Sequence, residues 1–84
     1  MRLTPEQLTE LRSTPLSSTG NRLAKAIELV GLRQADVANA ASLSQPYVSD
    51  VARGRHTTIT VENAHKFCDL FGCAIEDLFP SRAA

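Results

Sequence analysis

No long apolar run, no disulfide framework and no net charge mark this chain, and each absence narrows what it can be. Nothing in it approaches the ~18 consecutive apolar residues of a membrane span, and no basic segment leads into an apolar one at the N-terminus as in a secretion signal. A soluble, cytoplasmic protein with no membrane partner is expected. The two cysteines, Cys68 and Cys73, stand five positions apart at what reads as one helix end, badly placed to staple distant segments, and are expected as reduced thiols. Strand signals are nearly missing as well, since the β-branched run from Thr57 to Val61 is short and abuts a helix start. There is no internal repeat, no low-complexity tract and no glycine-rich loop of the kind that cradles phosphates.

Net charge is zero, with nine Lys and Arg against nine Asp and Glu, but the charges are unevenly placed. Between Gly20 and Thr60 five cationic residues face three acidic ones, whereas from Val61 to Phe79 a single lysine faces four acids. A mildly basic middle is followed by an acidic C-terminal part, so the zero sum does not by itself exclude a polyanionic partner. The 84 residues, 43% of them apolar, suit one compact unit near the lower size limit for a core without disulfides or metal.

What is present is helical, and the class expected is all-α. Thr4 can cap a helix, Pro5 takes its first position, Gln7 completes a capping box and Leu3 can staple against Leu8, predicting a short helix over Pro5 to Arg12. Ser13 to Gly20 has the composition of a linker, which divides the chain into an N-terminal helix and linker (1–18) and a main domain (19–84). Leu23, Ala26, Ile27 and Val30 then recur at helical spacing up to Gly31. Gln34 to Ala41 carries Val37, Ala38 and Ala41 on one side, and Ser44 caps a second short helix bearing Val48 and Val51 before Gly54. Ile59 to Val61 open a longer helix, with Ala64, Phe67, Cys68 and Phe71 on its face, that Gly72 closes; Ile75 to Phe79 is a last short helix ended by Pro80.

The two short central helices fit a tight corner: a small residue, Ala38, where they cross; Val37, Ala41, Leu43, Val48 and Val51 inward; and Ser42 in the turn. That register turns Gln45, Pro46, Ser49 and Asp50 outward, with Tyr47 at the margin. Through Arg33-Gln34-Ala35-Asp36-Val37-Ala38, Leu43-Ser44-Gln45-Pro46-Tyr47-Val48-Ser49 and Arg53-Gly54, the chain resembles the Cro/repressor-type helix-turn-helix family, or XRE family. The resemblance runs from about Thr19 to Phe79 and includes Ile59-Thr60-Val61-Glu62 and Ile75-Glu76-Asp77-Leu78-Phe79. It departs at Ser42, where the family's usual turn residue is glycine, and the helix before Gly20 lies outside it.

This resemblance implies a five-helix, lambda-repressor-like bundle, here with an extra N-terminal helix, that binds double-stranded DNA as a homodimer and regulates transcription. It implies a recognition helix over Ser44 to Ala52, with base contacts from Gln45, Pro46, Ser49 and Asp50. Gln45 can pair bidentately with adenine; Asp50 either accepts from a cytosine amino group or pairs with Arg53 or Arg22. Phosphate contacts are expected from Arg22, Arg33, Gln34, Ser44, Tyr47, Arg53, Arg55, His56 and Thr57, with Thr58 a weaker candidate. Each has a plainer reading beside it: a solvated surface charge, an ordinary helix start, or for Tyr47 an aromatic ring covering the core with its tip wet.

Other chemistry is thinly represented. His65 and Cys68 share a helix face and Cys73 follows, but three candidate ligands, one of them on the apolar stripe, make a poor zinc site. A thiol and a histidine without an orienting third group do not make a nucleophile pair, so neither enzyme activity nor a cofactor is expected. The rival reading is a toxin-neutralising antitoxin that binds a partner protein through residues 1–18 and autoregulates its operon. Homodimer contacts are expected from Ile75, Leu78 and Phe79, or alternatively from Leu8 and Leu11.

Overall fold

A computed structural model of the protein describes residues 1–55 and 59–80. Among them are helices α1 (Pro5–Ser13), α2 (Leu23–Val30), α3 (Gln34–Ala41), α4 (Gln45–Ala52), α5 (Val61–Phe71) and α6 (Ile75–Leu78), and no strand. No helix among the described residues is long and apolar enough to cross a membrane.

Local chemistry accounts for the helix boundaries. At α1 the Thr4 hydroxyl accepts from the Gln7 amide at 3.2 Å while the Gln7 side-chain oxygen accepts from the Thr4 amide at 2.9 Å, the reciprocal box that satisfies two otherwise orphaned donors. At α5 the Thr60 hydroxyl accepts from the Asn63 amide at 3.1 Å. Gly31 and Gly72 end α2 and α5 at φ of 72° and 69°, where a side chain would be strained. The start of α2 uses Asn21, whose side-chain oxygen accepts from the Leu23 amide at 3.1 Å.

One core gathers every helix. Leu11, Leu23, Val37, Val48, Phe67, Phe71 and Leu78 are completely shielded from water, and the Phe67 and Phe79 rings lie with centroids 6.0 Å apart. Leu11 belongs to α1, so the N-terminal helix is part of the same core as the rest. Its attachments continue outward: the Leu3 amide donates to the Phe71 carbonyl at 2.9 Å, and the Gln7 side chain to the Leu29 carbonyl at 2.8 Å. The expected linker is also tied down, since the Ser17 amide donates to the Asn21 carbonyl at 2.9 Å and the Asn21 side-chain amide to the Val51 carbonyl at 3.2 Å.

This core corrects the expected dimer contacts. Leu11, Leu78 and Phe79 are buried within the chain's own interior, and Leu8 and Ile75 pack half-buried against it. The reason is size: a domain this small needs Leu11, Leu78 and Phe79 for its own core and cannot leave them for a partner.

Asp77 fastens α6 to α1 and α2. It receives the Arg12 guanidinium at 2.7 Å and the Ala74 amide at 3.0 Å, and its own carbonyl accepts from Arg22 at 3.2 Å. The hydrogen bond from Arg12, supported by the Ala74 amide, holds the Asp77 carboxyl below its ordinary value against the opposing effect of burial. A carboxyl lowered by folding contributes stability in full above its unfolded value of about 3.9, and that contribution fades as pH falls from there through the lower folded value. Urea unfolding of wild type and Asp77→Asn should therefore show the variant less stable at neutral pH, with the gap narrowing near pH 3; an equal gap at both pH values would mean the charge is not what matters.

Candidate nucleic-acid interface

The surface singled out in the sequence is built by α3, the turn after it, and α4. Helix α3 enters through Arg33, whose backbone amide donates to the Asp36 carboxylate at 3.3 Å, so Gln34 takes the first helical position and stays half-buried. Val37, Ala38 and Ala41 are buried in the core. The turn closes when the Leu43 amide reaches back to the Ala38 carbonyl at 2.9 Å, across Ser42 at φ 57° and ψ 40°. Ser42 is the one non-glycine residue with positive φ among the described residues.

Two residues later Ser44 caps α4, its hydroxyl accepting from the Tyr47 amide at 3.3 Å. Pro46 sits in the first turn, where its missing N–H removes no intrahelical bond. Val48, Val51 and Ala52 bury the inner face of α4. Gln45 and Pro46 are consequently exposed at its N-terminal end, with Ser49 and Asp50 half-buried one turn further on. The helix cannot roll without pulling Val48 and Val51 out of the core, so its outward set is fixed by packing.

The cationic rim is smaller than the sequence suggested. Arg53 and Arg55 are exposed and, among the described residues, in no ion pair; their backbone amides close the end of α4 onto the Ser49 carbonyl at 2.9 Å and the Asp50 carbonyl at 2.8 Å. Arg33 is open to solvent, its guanidinium 3.4 Å from the Asp36 carboxylate. Arg22 departs from the expected rim: its guanidinium turns inward, donating to the Thr14 carbonyl at 2.7 Å and the Asp77 carbonyl at 3.2 Å. Those two carbonyls hold the cation there. Asp50 pairs with neither Arg53 nor Arg22, which removes the ion-pair alternative for it. His56, Thr57 and Thr58 lie outside the described residues.

Tyr47 is half-buried against the core, and its hydroxyl accepts from the Asn63 side-chain amide at 3.1 Å. Asn63 went unremarked in the sequence, because nothing local shows that an α5 side chain meets a residue sixteen positions earlier. Asn21 was missed for the same reason; it is buried and ties the end of α4 to the start of α2. Gly54 passes close to Ser18, since a Cβ on it would lie 2.6 Å from the Ser18 hydroxyl. His65 is exposed while Cys68 is buried, and no group of three or more metal-ligating side chains gathers among the described residues.

Two short helices set at a corner by a left-handed residue, the first buried by its small side chains and the second presenting a polar N-terminal end, constitute a helix-turn-helix. A family model described as helix-turn-helix matches residues 23–78, from the first residue of α2 to the last of α6, and the chain belongs to that family, of the XRE type. The HTH-type transcriptional regulator DdrOP3 of Deinococcus deserti is 42% identical to it over 48 residues, which are 57% of this chain and 36% of that protein. The shared stretch thus spans about a third of that relative's length. No solved structure matches the chain.

Ser42 carries the strain that a glycine in this turn avoids. Ser42→Gly should raise the stability of the protein by about 0.5–1 kcal/mol, read as a shift in the urea midpoint at constant slope. A loss of stability would show that the Ser42 side chain contributes more than its backbone costs.

Proposed function

We propose that the protein is a sequence-specific DNA-binding transcriptional regulator, acting as a repressor, that reads a pseudo-palindromic operator as a homodimer through α4. The observation that carries this reading is the capped, packed α4 with Gln45 and Pro46 exposed at its N-terminal end and Arg53 and Arg55 exposed past its C-terminal end. Membership in the helix-turn-helix family and the likeness to a transcriptional regulator support it.

In this reading Gln45 offers its amide to the adenine edge in the major groove, and Pro46 offers apolar contact to a neighbouring thymine methyl. Ser49 and Asp50, one turn on, meet the next base pair, where Asp50, in no ion pair among the described residues, selects cytosine by accepting from its amino group. Phosphates are held by Arg33, Arg53 and Arg55, by the Ser44 hydroxyl and by Gln34 at the start of α3. His56 and Thr57 are assigned phosphate contacts as well. Arg22 and Tyr47 are assigned instead to bracing the fold, through the bonds that Arg22 makes to Thr14 and Asp77 and that Tyr47 makes to Asn63.

With no net charge to supply general attraction, affinity must come from base contacts and from doubling the interface in a dimer. The two recognition helices then lie about 34 Å apart, one turn of the duplex. The rival antitoxin reading gains nothing from the structure, since the apolar side chains Leu3 and Leu11 of its candidate segment lie in the core.

Selection of bound DNA from a random pool at fixed salt tests the proposal. Two inverted half-sites about 10 base pairs apart are expected, and Gln45→Ala should cost about 1–3 kcal/mol and relax one position in each. If the variant enriches the same motif equally well, α4 is not the reading helix. Arg55→Ala should weaken binding evenly across sequences and lower the slope of log affinity against log salt by about 0.9 for each phosphate that Arg55 neutralises; an unchanged slope would remove Arg55 from the rim.

A further inference from the structure

The corner between α5 and α6 holds both cysteines of the chain. At the end of α5 the Gly72 amide donates to the Cys68 carbonyl at 2.8 Å and the Cys73 amide to the same carbonyl at 3.1 Å, with Gly72 at φ 69°. This is the closing pattern in which the residue two past the cap folds back over the last full turn, and the two side chains at its ends meet. Here both of those residues are cysteines, and each thiol acts on the other's ionisation. Cys68 is 4% exposed and Cys73 is half-buried. The backbone bond from Cys73 to Cys68 brings the two cysteines close in space, the first requirement for a disulfide between them.

We propose that Cys68 and Cys73 form a redox modification site, which a small peroxide closes reversibly into an intramolecular disulfide across the end of α5. Interaction with Cys73 lowers the Cys68 thiol from its ordinary value, whereas Cys68 and burial push the Cys73 thiol up, so Cys68 ionises first. Burial and then the charges of Asp69, Asp77 and Glu76 oppose ionisation of Cys68, and for Cys73 the charge of Asp77 opposes it while the Arg12 guanidinium acts the other way.

The Cys68 thiolate attacks one peroxide oxygen and the O–O bond breaks, leaving a sulfenic acid on Cys68; the departing hydroxide takes a proton and becomes water. The Cys73 sulfur then attacks the Cys68 sulfur, the S–S bond forms and the S–O bond breaks. The second hydroxide leaves with the Cys73 proton as water. Two thiols have lost two electrons, and one peroxide has gained them. Cys68 belongs to the last turns of α5 and Cys73 to the connection between α5 and α6, so the bond would join neither α3 nor α4. It fixes the corner from which Asp77 holds Arg12.

The test uses the reduced full chain, treated with a few equivalents of hydrogen peroxide and read by intact mass and thiol titration. The expected product is a monomer lighter by about 2 Da in which both thiols vanish together and return with dithiothreitol. Its thermal midpoint is expected several degrees higher, because the bond constrains the unfolded chain. Cys73→Ser, checked for native circular dichroism, should instead gain about 16 Da on Cys68. Two thiols that stay unreacted, disulfide-linked dimers, sulfinic or sulfonic products in the wild type, or a lowered midpoint would each overturn the proposal.

Discussion

The Leu43 amide reaches the Ala38 carbonyl at 2.9 Å across a serine in the left-handed region, and that short closure sets the direction in which α4 leaves α3. Every exposed feature of α4 depends on it. With the corner fixed, Val48 and Val51 drop into the core, and the polar N-terminal end of α4 has one orientation only. The closure tolerates Ser42 because a serine can be held at positive φ when packing on both sides over-determines it. Ala38 and Ala41 below the turn and Leu43 against the core provide that packing.

The remaining elements hold this corner steady. Asn21 bonds the last turn of α4 to the start of α2, Tyr47 and Asn63 join α4 to α5, and Gly54 lets the backbone pass close to Ser18. Arg22 and Asp77 draw α1, α2 and α6 together on carbonyl and carboxylate groups that would otherwise be poorly satisfied. Buried polar side chains in such positions are costly unless fully paired, and among the described residues no buried side-chain nitrogen or oxygen lacks a partner. The polar contacts therefore fix the angles between helices, while burial of the apolar side chains supplies the driving force.

Electrostatics enter by position more than by sum. Arg33, Arg53 and Arg55 flank the ends of α3 and α4 and are exposed, while Arg12 and Arg22 are engaged around Asp77. The acids of the C-terminal part divide between that internal role and the open surface: Asp77 is buried, whereas Glu62, Asp69 and Glu76 are exposed. A chain with zero net charge can thus present a locally basic edge beside α4.

Sequence alone determined the helices, their caps and the inward faces, because those follow from interactions within a few residues. Thr4 with Gln7, Ser44 before Gln45, the apolar spacing of α2 and α5, and the left-handed Ser42 were all legible on that basis. It determined the outward set of α4 as well, since burying Val48 and Val51 leaves Gln45 and Pro46 nowhere else to go. Tertiary structure decided what long-range pairing decides. It put Leu11 of the N-terminal helix in the common core, turned Leu78 and Phe79 inward where a partner surface had been expected, and kept Asp50 apart from Arg53 and Arg22. It also took Arg22 out of the helix-turn-helix rim and gave it to Thr14 and Asp77. A side chain's partner across fifty-five positions of chain has no local signature; only the packing of α1, α2 and α6 brings that carbonyl within reach.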